Sequence, residues 1–387
     1  MAAVIAGALR CSRLVLVVSA ALAACDGCRA PSPPRTLAPG PIVVAPTDPG
    51  IRYVGRWDTS DPTVARAAWS ATAFSFRFTG TSLELALEDT ALSDGTPDDD
   101  WLAVTLDGRE LPPFALSQGR RTYEIAGGLA PRTHEVAVAK RTEAEVGTIG
   151  LVGITLDPGA SLGPRPESPP RIIEIVGDSI STGFGVLGPN ADCPFSAATE
   201  DATQAYGALA ARDFGADVWI AAWKGKGVLR NDDPNDADTL PRLYERLRPG
   251  DPGSAYAYSV HPDVVVLNVG TNDFARTAPP NAEFRAAYAS FVARLRALHP
   301  DAFLVLALGP MLFDEGAINF RTLVRNAIAA TIAERRGQGD ERIEMIELWA
   351  DPADGVGCQV HPNRVTHRRM ADELVRLLEA KLGWKRC

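Results

Sequence analysis

The chain has 387 residues, 46% hydrophobic and 22% charged, with 39 Lys and Arg against 48 Asp and Glu for a formal charge of -9 at pH 7. That balance excludes a disordered or fibrous chain, and at about 150 residues per domain the length predicts two or three domains, each large enough to bury a core. An acidic chain without a basic block is poorly suited to nucleic acid or to an anionic membrane surface, which select Lys and Arg; neutral substrates fit better.

Residues 1–24 read as an address rather than a fold. Arg10 and Arg13 make a positive start, and Leu14 to Leu22 is an apolar run. It is shorter than the roughly 20 residues a membrane span needs, which makes it a signal peptide. The run ends in Leu22-Ala23-Ala24-Cys25, which resembles a bacterial lipoprotein box, where the Cys is lipidated and becomes the new N-terminus. The alternative is an ordinary small-residue cleavage site that precedes a Cys. The lipoprotein reading implies an exported protein held at the cell envelope by a lipid anchor, without spanning. Losing the two leader arginines would take the charge to -11 (-9 minus 2).

Residues 25–49 are rich in proline, with Pro31, Pro33, Pro34, Pro39, Pro41 and Pro46 among them, and predict an extended tether. Residues 50–157 predict an all-β domain. Phe74, Phe76 and Phe78 alternate with Ser75 and Arg77, Leu83, Leu85 and Leu87 alternate with Glu84 and Ala86, and Val136 and Val138 repeat the period. Period two over short runs means strands with one buried face. Turn signals at Gly80-Thr81, Asp107-Gly108 and Gly127-Gly128 space them as in a sandwich or jelly roll.

Residues 158–170 are a Pro/Gly/Ser linker, and the pattern changes across 171–387. Apolar strands RIIEIV, ADVWIAA, PDVVVLNV, AFLVLAL and RIEMIEL alternate with helical stretches over 205–214, 283–299, 320–336 and 366–382. Alternation of this kind predicts a parallel sheet covered on both faces, an α/β/α domain. Of the six cysteines, Cys11 leaves with the leader and Cys25 takes lipid; Cys28, Cys193, Cys358 and Cys387 remain and allow three pairings. Cysteine and histidine spacing suggests no zinc site.

The chemistry gathers where strands end. RIIEIV runs into Gly177-Asp178-Ser179-Ile180, and PDVVVLNV into Gly270-Thr271-Asn272-Asp273. In open parallel sheets, sites lie at the carboxyl ends of strands. A Ser at such a turn can face a cleft, and an Asn amide can donate to a developing oxyanion. ADVWIAA is followed by Lys224-Gly225-Lys226-Gly227, whose backbone N–H groups can do the same. His361, within Gly357-Cys358-Gln359-Val360-His361-Pro362-Asn363, precedes the last helix and supplies a base.

This ordered set resembles the SGNH hydrolase superfamily, whose four blocks match Ser179, Gly225, Asn272 and His361, with Gly227 a near alternative to Gly225. Tyr53 to Trp57, Arg77 to Thr81, Lys140-Arg141-Thr142-Glu143-Ala144, and the closing Gly357-Cys358, His361-Pro362-Asn363, His367 and Met370-Ala371 look like carbohydrate esterase family 2. That resemblance implies a jelly-roll domain followed by an SGNH domain. It implies removal of O-acetyl groups from polysaccharides such as xylan and glucomannan, an acetyl-enzyme on Ser179, and neither metal nor organic cofactor. The oxyanion donors it implies are the N–H groups of Ser179 and Gly225 and the side chain of Asn272.

One departure stands out. The superfamily usually has an Asp three residues before the His, and here Cys358 occupies that position. The resemblance then implies a Ser–His dyad with a backbone carbonyl holding His361; Asp354 folding back is the rival, and Asp351 a weaker one. Cys358 is expected to pair with Cys193, the alternative being two buried thiols. Asp178, Asp273 and His367 are read as structural. Trp69, Trp101, Trp219, Trp223 and Trp349 are read as packing residues, with Trp223 the preferred sugar contact. Other esters, of lipid or of envelope glycan, and a non-catalytic carbohydrate-binding lipoprotein are the competing functions.

Overall fold

The computed structural model describes residues 40–91 and 99–387. The leader, Cys25 and the first part of the tether lie outside the described residues. In chain order the first strands are β1 (Ile42–Val44), β2 (Arg52–Val54), β3 (Ala65–Ala67), β4 (Ala73–Gly80), β5 (Leu83–Ala91) and β6 (Trp101–Leu106). They continue with β7 (Arg109–Glu110), β8 (Phe114–Ala115), β9 (Gly119–Ala126), β10 (Arg132–Lys140), β11 (Gly147–Leu156) and β12 (Ser161–Leu162). They form two sheets, β1-β11-β5-β9 with β3 on β11, and β12-β4-β10-β6-β7 with β2 on β4 and β8 on β6.

The period-two residues make the core between the sheets. Phe74, Phe76 and Phe78 of β4 meet Leu83, Leu85 and Leu87 of β5, with Val136, Val138, Ile149 and Leu151. Each large apolar side chain buried this way contributes about 1.5–3 kcal/mol.

Two segments fold where an unstructured connection was expected. Ile42–Val44, near the end of the proline-rich tether, pairs with Ile154–Leu156, and Ser161–Leu162, in the linker, pairs with Phe78 and Thr79. Both lie at sheet edges, where a free row of N–H and C=O groups accepts an extended segment and flanking prolines are tolerated.

The second domain runs β13 (Ile172–Gly177), α1 (Ser179–Thr182), α2 (Tyr206–Asp213), β14 (Asp217–Ala222), α3 (Leu240–Tyr244), β15 (Val264–Asn268), α4 (Asn281–Leu298) and β16 (Phe303–Leu308). A small hairpin of β17 (Asp314–Glu315) and β18 (Ile318–Asn319), then α5 (Phe320–Gly337), β19 (Ile343–Glu347) and α6 (Arg364–Leu382) complete it. The sheet order is β14-β13-β15-β16-β19, parallel throughout. Alternate strand residues serve opposite faces. Val265, Leu267, Leu304 and Leu306 pack against α4 and α5, while Val264, Val266, Phe303 and Val305 pack against α2 and α6. Strand β13 has β14 on one side and β15 on the other, so the chain reverses direction across the sheet there and opens a crevice at the strands' carboxyl ends.

The domains are joined through buried polar contacts. Arg56 follows β2 and enters the second domain, where it is 3% exposed. Its guanidinium lies 4.1 Å from the Tyr256 ring and 4.5 Å from that of Tyr244. It donates to Glu174 Oε1 of β13 at 3.0 Å, and the Tyr244 hydroxyl donates to Glu174 Oε2 at 2.8 Å. The segment after β10 makes the other joint. Lys140 Nζ pairs with Asp100 inside the β domain at 2.6 Å, and Arg141 reaches across to the carbonyls of Ala198 and Glu200 and to the Asp201 carboxylate at 3.0–3.2 Å.

Candidate active site

Ser179 is the first residue of α1, directly after β13. Gly177 is needed there, because a Cβ would sit 2.2 Å from Ser181 Oγ and 3.0 Å from the Asn268 carbonyl oxygen. Asp178 caps the turn, accepting the Ile180 N–H at 3.0 Å, which is a structural role. Its full burial, with Asp273 nearby, pushes its pKa up to about 7.

His361 reaches Ser179 from the loop before α6, with Nε2 2.9 Å from Ser179 Oγ. Its Nδ1 faces the carbonyl oxygen of Gln359 at 3.0 Å. That orientation comes from two consecutive left-handed residues, Gln359 (φ 51°) and Val360 (φ 58°). This backbone is unfavourable for non-glycine residues and especially for a β-branched one. Neighbouring bonds hold the turn in place. Cys358 is disulfide-bonded to Cys193, Cys358 N–H donates to the Gly185 carbonyl at 3.1 Å, and Gln359 N–H donates to that of Ala191 at 3.1 Å. Asp354 does not face the imidazole. Its carboxylate takes both arms of Arg369 at 2.8 and 2.9 Å, and Asp351 caps its own turn through Ala353 N–H at 2.9 Å. Burial lowers the His361 pKa below its usual 6.5; the Gln359 and Cys358 carbonyls pull it up, and the Lys224 charge lowers it further.

Gly225 sits half-buried at φ +72° with no atom within 4 Å of where a Cβ would project, so it opens onto the cleft. Gly227 is different. Its N–H is taken by Asn231 Oδ1 at 3.1 Å, and a Cβ there would meet the Arg230 carbonyl oxygen at 2.1 Å. Asn272 follows β15, and its amide donates to the Lys226 carbonyl at 2.9 Å, tying it to the Gly225 loop. Asp273, fully buried, accepts the N–H groups of Val228, Leu229 and Arg230 at 2.8–3.1 Å, so it orders the same loop.

Ser179, Gly225, Asn272 and His361 line one open cleft of about 670 Å³. Phe184, which packs 4.4 Å from the His361 ring, and Phe195, Trp223 and Phe313 give it apolar surface, and Asn231, Asp232, Asp233 and Asp236 line it with polar groups. Trp69 is buried, and Trp349 is 51% exposed with its ring stacked on Arg321 at 3.7 Å. His367 is buried in α6, where Nδ1 accepts the Tyr206 N–H at 3.1 Å; burial pushes its pKa down to about 3, a packing role. Glu143, Glu145 and Glu200, which border the Gly225 loop, were not singled out in the sequence. Of the three, Glu143 alone lies in the KRTEA run, which marks the family resemblance without pointing to a role.

Residues 53–166 match the model of the carbohydrate esterase 2 N-terminal domain, and residues 175–369 that of the GDSL-like lipase/acylhydrolase family. The chain is 31% identical over 339 residues to the cellulase/esterase CelE of Acetivibrio thermocellus, which covers 87% of this chain but 40% of that protein. It is 28% identical over 380 residues to an acetylxylan esterase/glucomannan deacetylase of Cellvibrio japonicus, covering 96% and 98% of the two. A solved family two carbohydrate esterase from Clostridium thermocellum, in complex with cellohexaose, superposes with a TM-score of 0.80 at 30% identity, over 87% of this chain and all of that one. With both domains matched, and the same pairing of domains found in a structure 30% identical along its whole length, the chain belongs to carbohydrate esterase family 2 and carries its hydrolase domain on a GDSL-like fold.

Proposed function

We propose that the protein is a serine esterase that removes O-acetyl groups from xylan- and glucomannan-type polysaccharides. The observation that carries the reading is the 2.9 Å contact between Ser179 Oγ and His361 Nε2 in a cleft that also presents Gly225 and Asn272. The relatives named as acetylxylan esterase/glucomannan deacetylase support the substrate class.

His361 Nε2 takes the Ser179 proton as Oγ attacks the acetyl carbonyl carbon. The Gln359 carbonyl accepts from Nδ1–H, which fixes the tautomer with Nε2 free to act as base. The tetrahedral oxyanion receives N–H groups of Ser179 and Gly225 and the Asn272 amide. The Ser179 N–H belongs to a first helical turn, which has no intrahelical acceptor to offer it. The bond to the sugar oxygen then breaks, and His361 returns the proton to that oxygen. Water attacks the acetyl-serine with the same base, releasing acetate and restoring Ser179. Asp232, Asp233 and Asp236 along the wall favour a hydroxylated substrate over a long acyl chain.

The test is acetate release by a soluble form beginning after Cys28, beside Ser179→Ala. The panel is acetylated xylan, acetylated glucomannan, acetylated peptidoglycan, and nitrophenyl acetate and octanoate. Acetate from the plant glycans, abolished in the variant, is the expected result. A preference for peptidoglycan or octanoate would overturn the substrate, and undiminished activity of Ser179→Ala would overturn the mechanism. We also propose that Cys25 anchors the exported chain through lipid; fatty-acid labelling should vanish in Cys25→Ala.

A further inference from the structure

We propose that Glu143, contributed by the β domain, is a positioning residue for the oxyanion loop: it fixes the backbone of Lys224 and so sets the aim of the Gly225 N–H. The proposal rests on the esterase reading above. Its main observation is a hydrogen bond from the Lys224 N–H to Glu143 Oε2 at 2.6 Å, one residue before Gly225.

The loop needs such a hold. Gly225 stands at φ +72° with open space around it. Its carbonyl accepts the Asp232 N–H at 2.8 Å, which fixes the peptide after Gly225; on the other side, the aim of the Gly225 N–H depends on how the backbone is held at Lys224, whose own N–H lies in the Trp223–Lys224 peptide. Glu143 supplies that orientation from a rigid base. It is fully buried, and its own N–H donates to Glu200 Oε2 at 3.1 Å. In the three residues before it, Lys140 and Thr142 bind Asp100, and Arg141 binds the Ala198 and Glu200 carbonyls. Two residues on, Glu145 pairs with Lys224 Nζ at 3.2 Å, so the β domain holds this residue by main chain and by side chain.

The network also meets the nucleophile. Glu200 precedes the 3-10 turn that leads into α2, and Thr182, on the turn that carries Ser179, faces it. Both carboxylates are buried, and each has one oxygen without a hydrogen-bond partner. Burial and the neighbouring Glu200 push the Glu143 pKa well up. A neutral Glu143 still accepts from Lys224 through its carbonyl oxygen, and a glutamine can do the same.

The experiment uses the full mature domain pair and nitrophenyl acetate, with Glu143→Ala, Glu143→Gln and Glu143→Asp. Misplacing a catalytic donor by about 1 Å costs up to about 100-fold in rate. Glu143→Ala is therefore expected to lose roughly 10- to 100-fold in kcat with KM within about twofold, and Glu143→Gln to recover to within about threefold of wild type. If the alanine variant does not fold, Glu143→Asp, whose carboxylate is one methylene short of Lys224, is expected to show the same loss in kcat. Wild-type kcat in Glu143→Ala or Glu143→Asp, or a glutamine variant no better than alanine, overturns the proposal while leaving the esterase reading intact. A wild type silent on every ester overturns the esterase reading, and this proposal with it.

Discussion

Gln359 turns its carbonyl oxygen onto His361 Nδ1 at 3.0 Å, in the place where a triad puts a carboxylate. The rival carboxylate, that of Asp354, is taken up by both arms of Arg369. Asp354→Asn should therefore keep kcat within about threefold of wild type, whereas converting the acid of a working triad to its amide costs about 10⁴-fold. Steady-state kinetics on nitrophenyl acetate distinguish the two, and a loss of thousands-fold would return Asp354 to the mechanism.

Asn272 bridges the Lys226 carbonyl and the cleft. In the mechanism proposed above, replacing it with alanine removes one oxyanion donor along with one strut of the loop. A fall of about 100- to 1000-fold in kcat is expected, with little change in KM. A variant with wild-type kcat would remove Asn272 from the oxyanion site.

His361 acts as a base only when neutral, and its burial lowers its pKa below 6.5. The sign follows directly. kcat/KM should be flat around neutrality and fall as pH drops through a value under 6.5, the pKa of the free enzyme's base. The Lys224 ammonium lies 5.6 Å from the Phe184 ring that packs on His361, and its charge lowers that pKa. Lys224→Met keeps the backbone N–H but removes the charge, so the acid limb should move to higher pH. A limb that stays put or moves down contradicts this electrostatic account.

The Cys193–Cys358 bridge spans 165 residues of sequence and ends one residue before the two left-handed positions. Replacing both cysteines with serine should cost about 2–5 kcal/mol of stability. The freed turn should relax, and kcat should fall at least about tenfold as the Gln359 carbonyl leaves His361. Denaturant melts and kinetics on the same samples test both. Stability lost with kcat intact would show that the turn keeps its shape without the bridge.

Arg56→Ala leaves Glu174 as a buried carboxylate without its cation. Removing one partner of a buried pair costs about 3–5 kcal/mol, and here the aromatic contacts go as well. A shift in the denaturation midpoint of less than about 1 kcal/mol equivalent would mean that the cage rearranges to protect Glu174.

Much of this was legible in the sequence because the signals are local. Phe74, Phe76 and Phe78 declare their strand by period, Ser179, Gly225 and Asn272 each follow an apolar strand by a few positions, and His361 stands just before the last helix. What sequence could not show depends on partners far along the chain. Ile42 to Val44 becomes a strand because β11 offers an edge, and Ser161 and Leu162 do so because β4 does. The residue that orients His361 acts through its main chain, so the identity of Gln359 carries no signature. Glu143 looks like any glutamate after a strand until Lys224, 81 residues on, is placed beside it.

The Arg56 cage has a consequence for how the halves come apart. Residues 40–387 form one compact unit, and the guanidinium is enclosed by residues of the second domain. A protease that nicks the exposed part of the 158–170 connection would cut the covalent tie while leaving this tie untouched. The two fragments should then co-migrate on a native gel and separate in denaturant, as a complemented pair rather than two released modules.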